Sequence, residues 1–315
     1  MIPLIDLSRS REEVAGALAA TLEHVGFFIV VNHGVPQEKI RGMFAEAERF
    51  HAQPDEAKHA VLMNEHNNGY MAMARYNVRT SRVSEAEAKP DMNEAFFIKR
   101  ERGADDPLAG RRFAGPNRWP ENLPGFRDTV LDYCETVDRL ALSVLPALSL
   151  SLGLPEDWFD PHFTRSQFSF RLSHYPPAER EPGRYGIAPH TDTNFLTFLA
   201  QSDVPGLQIR PEGGDWEDVP FVEDSFVVNT GDMLHRWTNG RYKSTPHRAQ
   251  PPLDRHRYAI PYFFGPNLDA EIRCAPTCTG PDNPPRWPPV IYEDHLAWWY
   301  DANYNADDQK DLAAE

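Results

Sequence analysis

The stretch "APHTDTNFLTFL", Ala188 to Leu199, places two potential metal donors, His190 and Asp192, two residues apart just ahead of an apolar run. In an extended strand, residues i and i+2 share a face. Read as a strand, the pair can therefore meet one ligand. Read as a polar turn entering a strand, the same letters bind nothing. The rest of the chain has to decide between these.

The surroundings of this stretch are β-rich. After Gly153, short alternating segments are separated by Gly, Pro, Asp and Asn: "SQFSFRLSHY", "FLTFLAQ", "GLQIR", "WEDVP", "SFVVNTGDML", "YKSTPHRAQ" and "RYAIPYFF". Evenly spaced short strands of this kind predict a sandwich or barrel. The first half reads differently. "IPLIDL" is a short strand, and Ser10 with Glu13 forms a capping box for a helix carrying Val14, Leu18 and Leu22, with Gly26 suited to its C′ position. "FFIVVNHGVP" is a buried strand. A second helix is predicted from Gln37 to His51 and a third from Phe126 to Leu152, with Pro146 a kink point. Residues 60–122 read as irregular apart from the strand-like "NEAFFIKR", and a last helix is predicted over Ile291 to Tyr300. Without repeats or an obvious linker, the expectation is one unit over 1–315. Its parts are a mainly helical region at 1–153, a β core at 154–270, and an extension with a helix at 271–315.

Composition narrows the function classes. The 315 residues are 41% hydrophobic and 25% charged, enough for a large core and unlike a disordered chain. Net charge is −15 and no Lys/Arg block stands out, which argues against nucleic acid or an anionic membrane as partner. Three cysteines, Cys134, Cys274 and Cys278, fit reduced thiols better than half a zinc site. "MIPLIDLSRSREE" has no basic region followed by an apolar one, and no apolar stretch reaches the roughly 20 residues that cross a bilayer. A cytoplasmic location is expected.

A metal site at His190 and Asp192 needs a third donor. His235, His247, His256 and His295 lie downstream. His256 sits in the charged turn "LDRHR" and His295 in a predicted helix. His247, in the strand-like "KSTPHRAQ", is the preferred candidate, and His235, after "TGDM", competes with it. Two imidazoles and one carboxylate on one face make the facial set of non-haem Fe(II) oxygenases, which leaves coordination positions open for a co-substrate and O₂. Ten residues past His247 stands Arg257. Strand alternation puts it on one face with Ala259, Pro261 and Phe263. An arginine inside a barrel needs an anion, and its planar fork suits a carboxylate. Tyr175 could add a hydroxyl donor. Each feature alone is more often structural, and their order and register together carry the case.

Taken together, these residues resemble the isopenicillin N synthase-like branch of the Fe(II)- and 2-oxoglutarate-dependent oxygenases. "IPLIDLS" and "GFFIVVNHGVP" are similar to that family's N-terminal block. "HTDTNFLTFLAQ", "GLQIR", "SFVVNTGDMLHRWTNGRYKSTPHRA" and "RYAIPYFFGPN" are similar to its core, in order. The resemblance implies a double-stranded β-helix (jelly-roll) core flanked by N-terminal helices and a long central helix. It implies His190, Asp192 and His247 as iron ligands, with His235 outside the set. It also implies Arg257, supported by Tyr175, as the partner of the far 2-oxoglutarate carboxylate. The implied activity is a dioxygenase using Fe(II), 2-oxoglutarate and O₂ to oxidise, most simply hydroxylate, a C–H bond of a small molecule, with release of succinate and CO₂. Two positions depart from the family pattern: Ala259 stands for a Ser, and Ser173 for an Asn. An oxidase of the same fold that does without 2-oxoglutarate is the first alternative, a metal-free jelly-roll binding protein the second, and a zinc hydrolase a distant third. Tyr70, Met71, Arg75, Phe97, Phe195 and Trp237 are expected substrate neighbours.

Overall fold

The computed structural model describes residues 2–74 and 89–303. In chain order its first part holds β1 (Leu4–Asp6), α1 (Arg11–His24), β2 (Phe27–Val31), α2 (Gln37–His51), α3 (Asp55–His59), β3 (Gly69–Met71), β4 (Glu94–Lys99) and the long α4 (Phe126–Ser151). The second part holds β5 (Gln167–Tyr175), β6 (Ile187–His190), β7 (Leu196–Gln201), β8 (Leu207–Ile209), β9 (Glu217–Asp218) and β10 (Phe226–Thr230). It continues with α5 (Asp232–Trp237), β11 (His247–Ala249), β12 (Arg257–Gly265), β13 (Glu271–Ile272), β14 (Val290–Ile291) and α6 (Tyr292–Asn303).

The local signals explain the helix ends. Ser10 accepts from the Glu13 N–H, and Glu13 reaches back to the Ser10 N–H, which satisfies two free donors at the start of α1. Gly26 takes φ +67°, and a Cβ there would collide with the Lys243 carbonyl, so both the turn and the close approach require glycine. Helix α4 runs through Pro146 to Ser151. Among the described residues of the 60–122 region, β3 and the expected strand β4 join the main sheet.

Two sheets form the double-stranded β-helix. The larger has the order β1-β2-β10-β7-β12-β5-β4-β3 and the smaller β6-β11-β8-β9. One face of β4, β5 and β12 carries Phe96, Ile98, Phe170, Leu172, Ile260 and Tyr262, all buried in the main core with α1, α2 and α4. The Tyr262 hydroxyl donates to Asp138 of α4 at 2.8 Å. The opposite face of these strands turns toward the smaller sheet. Period-2 alternation therefore divides each strand into an apolar side for the helices and a side that lines the barrel interior. Among the described residues, no helix is long and apolar enough to cross a membrane.

Candidate metal centre and adjoining cavities

His247 lies directly across from His190 in the β11–β6 pair, and their ring centroids are 4.2 Å apart. Asp192 arrives by another route. Strand β6 ends at His190, so Asp192 sits in the following loop and not in the extended segment that i, i+2 alternation assumed. The loop is pinned instead: the Asp232 N–H donates to the Asp192 carbonyl at 2.7 Å, and the Thr191 hydroxyl donates to Asp232 at 3.1 Å. The result brings one donor atom from each of His190, Asp192 and His247 within 4.8 Å of one another.

The surrounding bonds orient these donors. His190 Nδ1 donates to the Ala188 carbonyl at 2.9 Å, and His247 Nδ1 to the Thr245 carbonyl at 3.1 Å. Each bond places a proton on Nδ1 and leaves Nε2 facing Asp192 Oδ1, at 3.8 Å and 3.6 Å. Asp192 Oδ2 is held separately, by the Thr197 hydroxyl at 2.6 Å and the Asn229 amide at 2.8 Å. Thr197 and Asn229 are cross-strand partners in β7 and β10, so one rung of the sheet fixes the carboxylate. Phe27 packs edge-on against His247.

Electrostatics favour a cation here. Burial would raise the Asp192 pKa, but His247, His190 and the Asn229 bond outweigh it and hold the carboxyl far below the usual range. Burial, with His247 nearby, pushes His190 down to about 3, so it is neutral and can ligate. Burial also opposes charge on His247, but Asp192 overcomes it and raises that pKa. No Lys or Arg pairs with Asp192 among the described residues. Two imidazole nitrogens and a buried carboxylate oxygen without a protein cation form a donor set that fits Fe(II).

A second group, His51, Glu94 and His174, has similar spacing and a different chemistry. Glu94 accepts from Lys58 at 2.8 Å, from Tyr70, and from His174 at 2.7 Å. The Lys58 ammonium already supplies the cation, so this is a buried ion-pair network on the helix side of the sheet. His256, exposed in the charged turn, hydrogen-bonds His174 at 2.7 Å and stacks on it. His235 belongs to α5, away from the metal group, with Nδ1 on the Tyr242 carbonyl at 2.5 Å.

Two cavities meet at the metal group. One, of about 550 Å³, holds Arg257, Tyr175, Ser173, Ala259, Pro261 and Phe263 together with His190, Asp192 and His247. Arg257 is 1% exposed, and its Nε and Nη1 have no partner. Its guanidinium lies over the Tyr175 ring, 4.8 Å from the centroid. A buried cation with open donors calls for an anion. Ser173 pairs across the strands with Ala259, and its buried hydroxyl is also unpartnered. The hydroxyl missing at 259 therefore has a counterpart one strand over.

The other cavity, of about 750 Å³, opens on the far side of His190 and Asp192. Phe97 lines it, as expected. Met71 stands behind that wall, clustered with Ala95 and Phe97. Three expected substrate neighbours lie elsewhere. Tyr70 shares the Phe96 side of the sheet and bonds Glu94. Phe195 (0% exposed) and Trp237 (1%) pack with Phe159 and Phe163 in the core. Their large apolar side chains pack on each other and on Phe159 and Phe163, so they are core residues. Arg75 lies outside the described residues. The sequence reading missed Lys99, Arg171 and the α6 residues Tyr292, Leu296 and Trp299, which line this cavity. Arg171 could have been found, since it shares the face of Ser173 and Tyr175 in β5.

Comparison with known proteins gives the family. Residues 166–266 match the 2OG-Fe(II) oxygenase superfamily, and residues 2–122 match the N-terminal region described for non-haem dioxygenase in morphine synthesis. The 2-oxoglutarate-Fe(II) type oxidoreductase hxnY of Emericella nidulans is 36% identical over 321 residues, covering 96% of this chain and 90% of its own length. The chain belongs to the 2OG-Fe(II) oxygenase superfamily. A full-length Neurospora crassa protein, solved with alpha-KG and thymine, superposes on this oxygenase with TM-score 0.83, 28% identity and 96% coverage of each chain. JOX2, solved with 2OG, Fe and JA, gives TM-score 0.81 at 28% identity, covering 94% of this chain and 84% of JOX2. The protein is a 2-oxoglutarate-dependent dioxygenase, an oxidoreductase with a jelly-roll core and Fe(II) as its metal.

Proposed function

We propose that His190, Asp192 and His247 hold the iron of this oxygenase and that Arg257, over Tyr175, receives the far carboxylate of 2-oxoglutarate. A small molecule enters the aromatic cavity, and one of its C–H bonds is hydroxylated. The observation that carries this is Arg257: a fully buried guanidinium with open Nε and Nη1 donors, in the same cavity as the three metal donors. Bound together, Fe(II), 2-oxoglutarate and O₂ supply the oxidation, one oxygen atom going to succinate with loss of CO₂ and the other to the substrate C–H bond.

The chain's own residues bind, orient and exclude water. Ala188 and Thr245 carbonyls fix the imidazole tautomers. Thr197 and Asn229 keep Asp192 Oδ2 occupied and leave Oδ1 toward the metal. The Ser173 hydroxyl adds a neutral donor for the co-substrate, worth about 1 kcal/mol net. Residues 1–153, 154–270 and 271–315 act as one unit in this reading, since β1–β4 extend the core sheet and α6 walls the substrate cavity. The thymine bound by the Neurospora crassa protein supports a small-molecule substrate.

The test is anaerobic addition of Fe(II) and then 2-oxoglutarate, watched for a visible metal-to-ligand charge-transfer band. Wild type should form the band. Arg257→Met should require at least tenfold more 2-oxoglutarate while binding iron normally. Wild-type turnover unchanged on omitting 2-oxoglutarate would overturn the reading in favour of the oxidase.

A further inference from the structure

The cavity opposite Arg257 holds a second guanidinium whose bonding is incomplete. Arg171, in β5 across from Phe97, is 6% exposed and lines both cavities. Nη2 donates to Asn93 Oδ1 at 2.5 Å, and Asn93 in turn donates to the Gly186 carbonyl. Nε has no partner. The group lies over the Phe97 ring, 5.0 Å from its centroid. Asn93 therefore fixes one corner of the fork and leaves an edge free. Asp91 feels the charge of Arg171 but forms no ion pair with it, and its Oδ1 is taken by the Ala188 N–H at 2.8 Å.

A second buried basic side chain, Lys99, stands two residues from Phe97 on the same face. Lys99 Nζ donates to the His66 and Asn67 carbonyls and to Asn68 Oδ1 at 2.7, 2.8 and 2.9 Å. All three acceptors are neutral. Lys99 is saturated, and burial pushes it down to about 7, so Arg171 is the cation with an open donor on this face. Apart from Asp192, no carboxylate lines this cavity among the described residues, and its other walls are largely aromatic: Phe97, Phe113, Phe168, Phe263 and Trp299. Buried positive charge met only by neutral oxygens is costly until an anion arrives.

We propose that the substrate is a flat ring compound bearing a carboxylate, the ring seated among these aromatic walls and the carboxylate on the open edge of Arg171. A planar two-pronged donor matches the two carboxylate oxygens. The assignment rests on the reading of the adjacent metal group as the oxidising centre. Arg257 and Arg171 then divide the work on the two sides of the iron: one holds co-substrate, the other substrate.

The experiment uses the full chain loaded anaerobically with Fe(II) and 2-oxoglutarate. Benzoate and 1-naphthoate are titrated beside their carboxamides, and perturbation of the charge-transfer band is followed. At least one acid should saturate and bind at least tenfold tighter than its amide. Arg171→Met should weaken that acid tenfold or more at an unchanged 2-oxoglutarate requirement, and Arg171→Lys should fall between. Equal binding of acid and amide, no saturable binding of either acid, or an Arg171→Met variant that binds acids like wild type overturns the proposal. So does a variant that loses 2-oxoglutarate instead, which would give Arg171 to the co-substrate. If wild type forms no band, the iron and 2-oxoglutarate reading has failed separately. Calorimetric titration of the same acids into the metal-free wild type and Arg171→Met then decides the Arg171 question by the same tenfold criterion.

Discussion

Thr197→Val removes one hydroxyl and almost nothing else. Thr197 is buried in β7, and valine has its shape, so packing is kept. What is lost is the 2.6 Å bond to Asp192 Oδ2, together with a 3.2 Å bond accepted from the Asn194 amide and a weak 3.3 Å contact to Asn194 Oδ1. Hydrogen bonds to a charged group contribute about 1.5–3 kcal/mol. The Asn229 amide stays on Oδ2 at 2.8 Å, so the carboxylate keeps one of its two anchors and gains freedom to rotate. Removing an outer partner of a metal ligand costs roughly 10- to 100-fold in affinity, and with one anchor remaining the lower end, about tenfold, is expected. Fe(II) or Co(II) affinity is measured anaerobically against a competing chelator, with circular dichroism to show that the variant is folded. A folded Thr197→Val that binds metal within twofold of wild type would refute the claim that this rung positions Asp192.

Three further outcomes follow from the same geometry. Metal affinity should fall with pH, about tenfold per unit once pH drops below the raised pKa of His247, because the protonated ring must release its proton to ligate; a slope of zero across pH 6–8, taken as about one unit either side of neutrality, would mean His247 is not a ligand. Gly231→Ala drives a Cβ into the Asn194 carbonyl beside the pinned loop, so both thermal stability and metal affinity should drop, read by calorimetry and chelator competition. Asp91 is pushed up to about 8 by burial, against the Ala188 N–H bond. A carboxyl whose folded pKa lies above its unfolded value stabilises the fold at low pH, and stability is lost as pH rises from the unfolded value of about 4 through 8. Asp91→Asn should abolish that slope in denaturant titrations, and an unchanged slope would place it elsewhere.

Much of the architecture was legible because its signals are local. The Ser10–Glu13 box, the glycine at 26 and the apolar faces of α1, α2 and α4 each depend on neighbours within a few residues. The face shared by Arg257, Ala259, Pro261 and Phe263 needs only strand alternation, and all four line one cavity. Where reading failed, distant contacts decided. Phe195 sits just past Asp192 and Trp237 ends α5, but both turn into the core, where they pack on each other and on Phe159. Tyr70 has the right size and position, and the register of β3 on β4 puts it with Glu94 on the helix side.

The sequence by itself determined which donor groups the candidate centre offers: two imidazoles, a carboxylate and an arginine in order, each donor type fixed by its own side chain. It also determined the alternation that separates an interior face from a helix face, because that follows from backbone geometry. The tertiary structure alone decided that His247 stands opposite His190, since strand register is a nonlocal choice. It decided that a loop, not a strand, delivers Asp192. It placed α6, more than a hundred residues downstream of β5, in the wall of the cavity that Arg171 also lines. Charge compensation has the same character: Glu94 finds Lys58, while Arg171 and Arg257 keep open donors, and only the packed chain makes that difference.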